Sequence, residues 1–306
     1  MKRLFLLVFL LAGRLFASEL SIFLDPRISY NNQHISYAVV DTDGSINSQL
    51  DWDAEYLFSA GTAISFLYGN WDICASVDFN LPFECGQMTD SDWRTKGLKT
   101  NLSRHELKSG FGFNAAVSLG YRFVLPESFI LAPVFSVQNS FDTQKAQKTT
   151  GWCGDTNHTN LSYDVSWDDA QAVRVKKYGI DFYINAASVF FGLNFQKQIS
   201  RFSMEFTGQF SPFTYVFAVD HHLNKEEGHY YQLIQKAIMY KLEAACAYTL
   251  TDDFSLKLSA AWLSCPKTSG DFYFGWFGTD HIIADETSTL SFSKLNITIS
   301  WQKKIK

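Results

Sequence analysis

Two short stretches of this chain carry side chains of the kinds that do acid–base chemistry. The first is Met88-Thr89-Asp90-Ser91-Asp92-Trp93-Arg94, with two carboxylates separated by one residue. The second is Ala218-Val219-Asp220-His221-His222. On an extended chain Asp220 and His222 can lie on the same side, so the carboxylate can accept a hydrogen bond from one ring nitrogen and fix the tautomer. The other nitrogen is then placed to act as a base near neutral pH. Each stretch also has a plainer explanation: most Asp-x-Asp pairs are solvated turn formers, and a polar loop can carry incidental histidines. A metal reading of His221, His222 and His229 is weaker still, because adjacent residues on a strand point to opposite faces. The five cysteines (Cys74, Cys85, Cys153, Cys246 and Cys265) are scattered without CxxC or His-ligand spacing, which argues against zinc.

The elements that must position these residues read as strands. Leu50, Trp52, Ala54, Tyr56 and Phe58 alternate with Gln49, Asp51, Asp53 and Glu55. Trp71, Ile73, Ala75, Val77 and Phe79 alternate with polar residues that include Asp72, Ser76 and Asp78. Phe202, Met204, Phe206 and Phe210 stand opposite Ser203, Glu205, Thr207 and Gln209, and Leu256, Leu258 and Trp262 stand opposite Ser255, Lys257 and Ser259. A period of two is the signature of a strand with one apolar face. A soluble antiparallel sandwich would alternate in the same way. Three features favour a membrane barrel instead: strands of ten residues or more against a usual ~5–6, aromatics towards strand ends, and connections that alternate in length.

Short turns are expected near 67–70, 124–128, 197–200 and 251–253, and long polar loops near 31–46, 85–103, 143–165, 220–229 and 266–287. Nine connections imply ten strands. An even number leaves both termini on the short-turn side, and closure is required because lipid cannot satisfy an open sheet edge. The fold class is therefore all-β, a ten-stranded antiparallel transmembrane β-barrel. In the last strand the apolar parity changes around Ser293-Lys294, which suggests a bulge. The chain then runs on past Trp301 as Gln-Lys-Lys-Ile-Lys.

Composition sets the outer limits. The 306 residues include 46% hydrophobic and 16% aromatic residues, 28 of them Phe, and 19% charged, which excludes a disordered chain. Twenty-six Lys and Arg against 31 Asp and Glu give a net charge of −5 and argue against a nucleic-acid partner. Residues 1–17 read as a signal peptide, with basic Lys2 and Arg3, an apolar run from Leu4 to Gly13, and Leu15-Phe16-Ala17 as the cleavage geometry. Residues 18–306 then form a single barrel domain. In an exported chain an odd cysteine count leaves at least one thiol unpaired; Cys85 and Cys153 both fall in expected long loops and could pair, though the sequence does not favour it.

Both acid–base stretches fall in long loops on the same, outer side of the expected barrel. The loops come from opposite parts of the ring, so the carboxylates and an imidazole could face each other across the mouth. A water between them could be deprotonated by His222 and attack a peptide carbonyl, with no covalent nucleophile.

At these residues the chain resembles the omptins, ten-stranded outer-membrane endopeptidases. The resemblance rests on Ser48-Gln49-Leu50-Asp51-Trp52, on Gly86-Gln87-Met88-Thr89-Asp90-Ser91-Asp92-Trp93, on Ser103-Arg104-His105, and on Asp220-His221-His222, where the family has Asp-Glu-His. It implies that Asp90 and Asp92 position the attacking water, that His222 is the general base, and that Asp220 orients it. Ser103 and His105 would support the groove. The implied setting is a bacterial-type outer membrane with the site facing outside, a peptide or protein substrate, outer-membrane lipid as surroundings or activator, and water in place of any cofactor.

The chain also departs from the family. An acid at the floor of the family's basic P1 pocket is replaced by Ala218, and another would align near Ile35 or His34. The family's basic lipid A contacts correspond to Val134, Ser136 and Gln138. An altered P1 preference is therefore expected, and dependence on lipopolysaccharide does not follow from the resemblance. Two rival functions follow: a non-catalytic barrel acting as an adhesin or binding protein, and a diffusion porin. The porin is disfavoured because a ten-strand lumen is narrow and Asp51, Asp53, Glu55, Asp72, Asp78, Lys241, Glu243 and Lys257 could fill it with ion pairs.

Overall fold

The computed structural model describes residues 20–93, 97–154, 165–168, 172, 179–222, 229–276 and 279–305. The expected signal peptide, and parts of the expected second, third, fourth and fifth long loops, lie outside these residues. Among the described residues there are twelve strands: β1 (Leu20–Asp41), β2 (Ile46–Tyr68), β3 (Trp71–Asn80), β4 (Glu84–Asp92), β5 (Asn101–Tyr121), β6 (Phe123–Leu125), β7 (Phe129–Gly154), β8 (Ile180–Ile199), β9 (Phe202–His222), β10 (His229–Thr251), β11 (Phe254–Trp276) and β12 (Thr279–Lys304). Strands β3 and β4 both lie between β2 and β5, so they are the lower and upper halves of one interrupted staff. Strand β6 continues the β5 stave downwards, pairing with the start of β7 in the same register. The remaining order is that of an antiparallel ring of ten staves, closed by β1 on β12 from Phe23↔Lys304 to Asp41↔Glu286. The Gln-Lys-Lys tail is thus part of the closing strand.

The four short turns fall where expected. Most of the expected long loops, however, are strand. Strand β1 runs to Asp41, β7 to Gly154 and β11 to Trp276. Staves of 20 to 26 residues at about 3.3 Å each far exceed the roughly 9–11 residues a tilted crossing needs. The upper part of the barrel therefore stands in water, where a paired strand can be polar on its outer face and no longer shows the lipid-facing alternation.

The barrel changes character along its axis. In the lower part the apolar side chains point outwards, among them Ile73, Phe206, Leu258 and Ile299. Their alternate neighbours line a polar lumen with cavities of about 200 and 460 Å³. There Arg27 donates two hydrogen bonds to Asp78 (2.6 and 2.5 Å), and Lys257 donates one to Glu205 (3.1 Å). Aromatic contacts mark a lower girdle at Trp71–Tyr121 and Phe202–Tyr248 and an upper one at Tyr30–Phe58 and Phe210–Tyr240.

In the upper part the polarity is reversed. Ile35, Tyr37, Trp52, Met88, Leu107, Phe182, Ile184 and Leu290 form a dry core inside the ring. This reversal explains the parity change in β12. The register from His34↔Ser293 to Gln33↔Lys294 is unbroken, so no bulge is present there. Leu290 points into the upper core, whereas Leu295, Ile297 and Ile299 face outwards below it. In β2 a register shift does occur, between Gln33↔Ala54 and Asn31↔Leu57. It lets Leu50, Trp52 and Ala54 point inwards while Tyr56 and Phe58 point to the exterior. The same parity corrects the expected lumen charges. Asp72, Asp78, Lys241, Glu243 and Lys257 line the cavities, but Asp53 is half-exposed against His34 (2.6 Å) and Asp51 accepts from Gln49 on the outer face.

Cys85 and Cys153 are both buried free thiols, not a disulfide. Burial pushes the Cys85 thiol up to about 12, so it is an unreactive part of the core.

Candidate active site

The staff made of β3 and β4 is broken after Asn80 and restarts at Glu84, and Gly86 makes the restart possible. A Cβ on Gly86 would lie 1.9 Å from the Asp53 carbonyl oxygen, at a φ of +153°. From there β4 pairs with β2 on one side and β5 on the other. Asp90 stands opposite Leu50 and Ser103, and Asp92 opposite Ser48 and Asn101. Directly paired residues share a face, and Leu50 and Ser103 are buried within the mouth. The register thus turns Asp90 and Asp92 inwards.

On the far side of the ring, β9 carries Asp220 opposite Phe182 and His222 opposite Ile180, two fully buried core residues of β8. Asp220 and His222 therefore also face inwards, and His221 faces the other way, opposite Asp181. His222 Nε2 lies 3.0 Å from Asp220 Oδ2. The Tyr37 hydroxyl of β1 donates a hydrogen bond to the same Oδ2. Asp220 Oδ1 is buried and makes no hydrogen bond among the described residues. Asp220 is 2% exposed and the His222 side chain 18%. The orienting carboxylate is dry and the imidazole reachable.

Ser103 and His105 lie on β5, beside the strand that carries Asp90 and Asp92. Ser103 Oγ and His105 Nε2 are 2.9 Å apart. Burial, and secondarily the proximity of His222, lower the His105 pKa to about 4, so His105 is neutral at physiological pH. Two polar groups thus stand in the mouth, Ser103 with His105 on β5 and His222 with Asp220 and Tyr37 across from it, and His222 acts electrostatically on His105. Beneath them the Tyr37 ring stacks on Phe182 (centroids 5.8 Å apart), which stacks on Trp52 (4.8 Å). Among the described residues no three His, Cys, Asp or Glu side chains converge as a metal site requires. The mouth thus carries two inward-facing carboxylates on β4 and, on β9, an imidazole oriented by a buried carboxylate.

Sequence reasoning missed Tyr37. It lies 183 residues from Asp220, and its contact depends on ring closure. Its position among the apolar residues of β1 gives no signal of a polar role.

The positions next to the pair are apolar. Ala218 lies one inward step below Asp220, opposite Ile184 and Gln232, and is fully enclosed. Ile35 is also in the core, while His34 points out to Asp53. Val134, Ser136 and Gln138 line the lumen and not the lipid face. The outward neighbours Phe135 and Val137 are uncharged.

A closed ten-staff ring, an outer apolar band with aromatic girdles and a polar lumen define a bacterial outer-membrane β-barrel. The sequence profile of the omptin family matches residues 28–304, and the chain belongs to that family, whose members are proteases. The crystal structure of the outer membrane protease OmpT from Escherichia coli superposes with a TM-score of 0.82 at 16% identity, covering 93% of this chain and 97% of that one. The outer membrane protein OprG from Pseudomonas aeruginosa gives 0.33 at 9% identity, covering 94% and 96%. The translocator domain of the autotransporter NalP from Neisseria meningitidis gives 0.32 at 7% identity, covering 93% and 91%. No curated protein sequence matches the chain significantly.

Proposed function

We propose that this protein is an outer-membrane endopeptidase that hydrolyses peptide bonds at the outer mouth of its barrel, using Asp90 with Asp92 and Asp220 with His222. The observation that carries the reading is the 3.0 Å contact of His222 with a buried, doubly bonded Asp220, on the inner face of the same mouth as Asp90 and Asp92. Nε2 is committed to Asp220, so Nδ1 is the nitrogen that takes a proton. In the proposed step His222 Nδ1 removes a proton from a water held towards Asp90 and Asp92, and the hydroxide adds to the peptide carbonyl carbon. The tetrahedral adduct expels the amine as His222 returns the proton to the nitrogen. The C–N bond breaks, water supplies OH to the acyl side and H to the amine, and no covalent enzyme intermediate forms. Asp220 holds the imidazole and balances its transient charge. The chemistry needs no cofactor.

The P1 preference is proposed to differ from a basic one. Ala218 and Ile35 leave no carboxylate beneath the Asp220–His222 pair, and an unpaired Lys or Arg in that apolar core would be costly. The substrate is a peptide or protein presented outside the cell. The test is cleavage of an unbiased peptide library by the purified, folded barrel, with His222→Ala as the comparison. Cleavage at non-basic sites that disappears in the variant is the expected result. Full activity in His222→Ala would reject the mechanism, and an inactive wild-type barrel would favour a binding role.

A further inference from the structure

The Tyr37 hydroxyl and His222 Nε2 meet on one oxygen, Asp220 Oδ2. Nothing in strand pairing requires this. Tyr37 belongs to β1, which pairs with β2 and β12, whereas Asp220 belongs to β9, which pairs with β8 and β10. The contact crosses the interior of the ring. It is held by the Tyr37–Phe182–Trp52 stack, in which Phe182 is the direct cross-strand neighbour of Asp220. The phenol is therefore fixed from both ends, its ring by stacking and its hydroxyl by the carboxylate.

We infer that Tyr37 is a positioning residue for the Asp220–His222 pair, acting by holding the Asp220 carboxylate and moderating its pull on the imidazole. The inference rests on the proposed peptidase reading. A buried carboxylate that accepts only from His222 could rotate about its terminal torsion, because that torsion is soft. With Tyr37 donating to Oδ2, the oxygen that meets Nε2 is fixed. The same hydrogen bond stabilises the carboxylate's charge, so Oδ2 stabilises imidazolium less than a singly bonded carboxylate would. The base then stays neutral to lower pH. Removing the hydroxyl has two separable consequences: the imidazole is less well placed, which lowers kcat, and it is more basic, which moves the acidic limb of the pH profile upwards. The other titratable groups turned into the same mouth are Asp90 and Asp92 of β4 and His105 of β5, while β8 presents Ile180 and Phe182 beside the pair. None of them changes in a Tyr37 variant.

Tyr37→Phe keeps the ring, the stack and the volume, and removes one oxygen. The measurement is the pH dependence of kcat and kcat/KM on a peptide cleaved by the wild-type barrel, with folding checked by the mobility of unheated samples on detergent gels. The expected result is a folded variant with kcat lower by roughly tenfold or more, KM within about twofold, and an acidic limb raised by about half a unit or more. In an Asp220→Asn background the same substitution should cost little further activity, because the two act as a unit. An unchanged kcat and limb would overturn the inference, as would a loss confined to KM, or loss of the folded form. If His222→Ala is inactive while Tyr37→Phe matches wild type, the positioning role fails and the peptidase reading stands. If His222→Ala is active, the reading itself fails.

Discussion

His222 Nε2 lies 3.0 Å from Asp220 Oδ2, the two side chains separated by one residue that points out of the barrel. This arrangement follows from the two-residue period of a strand. It sets a carboxylate buried among apolar neighbours beside an imidazole that retains contact with solvent. A general base needs both conditions, a rigid partner and an approachable nitrogen.

Replacing His222 with Ala, or Asp220 with Asn, is expected to lower kcat by about 10²–10⁴-fold, the range for a lost acid–base group or its orienting partner. Steady-state peptide cleavage by folded protein checks this. Wild-type activity should also fall on the acid side as His222 takes up a proton, and a profile flat from pH 4 to 8 would contradict the assignment.

His105 should make the fold acid-sensitive. Its pKa is about 4 in the folded barrel, with burial as the main cause, and near 6.5 when unfolded. The unfolded chain therefore binds the extra proton first. The contribution of His105 is intact above about pH 6.5 and declines as pH falls towards 4, by up to about 3 kcal/mol. Denaturant titrations at pH 7.5 and 4.5 measure the slope. His105→Asn, which cannot titrate, should flatten it.

Ala218→Asp should shift cleavage towards basic P1 residues, because it places a carboxylate directly below the Asp220–His222 pair. It should also lower stability by a few kcal/mol, since that position is fully enclosed, between Ile184 and Gln232, with no cationic partner beside it among the described residues. Library cleavage and thermal denaturation of the same preparation test both effects. A destabilised variant with no change in specificity would place substrate elsewhere.

Leu258→Arg should destabilise the barrel by about 2–4 kcal/mol, as a cation introduced on the lipid face does near mid-bilayer. Leu258 points outwards between Cys246 and Ile299. Its neighbour Ser259 lines the lumen, and Ser259→Arg should cost less if the lumen is hydrated. Equal costs would mean that the inside and outside of β11 have been exchanged.

The sequence settled much of this protein. Alternation at Trp71–Phe79, Phe202–Phe210 and Phe254–Trp262 identifies staves with a lipid face, because lipid selects one apolar side over a long run. The four short turns and the ten-staff ring follow from that pattern. Asp90, Asp92, Asp220 and His222 also stand out, since their spacing of two is a local property of a strand. In several segments where neither face meets lipid, the signal failed. The upper parts of β1, β7 and β11 read as loops although they are paired strands, because their outer faces are polar. In β12 the change of apolar face looked like a bulge, since sequence parity cannot distinguish a displaced backbone from a reversal of which side is dry. The outward direction of Asp53 was lost for a related reason: the shift in β2 that sets it is visible only in the pairing.

Local sequence thus determined the elements and the chemistry available at their ends. The tertiary structure decided what meets across the ring. Tyr37 reaches Asp220, and His105 lies close to His222, only because β1 closes on β12 and brings residues far apart in the chain to one mouth. Such contacts depend on ring closure and on the inward aim of each stave. Both are global properties, and no window of neighbouring residues encodes them.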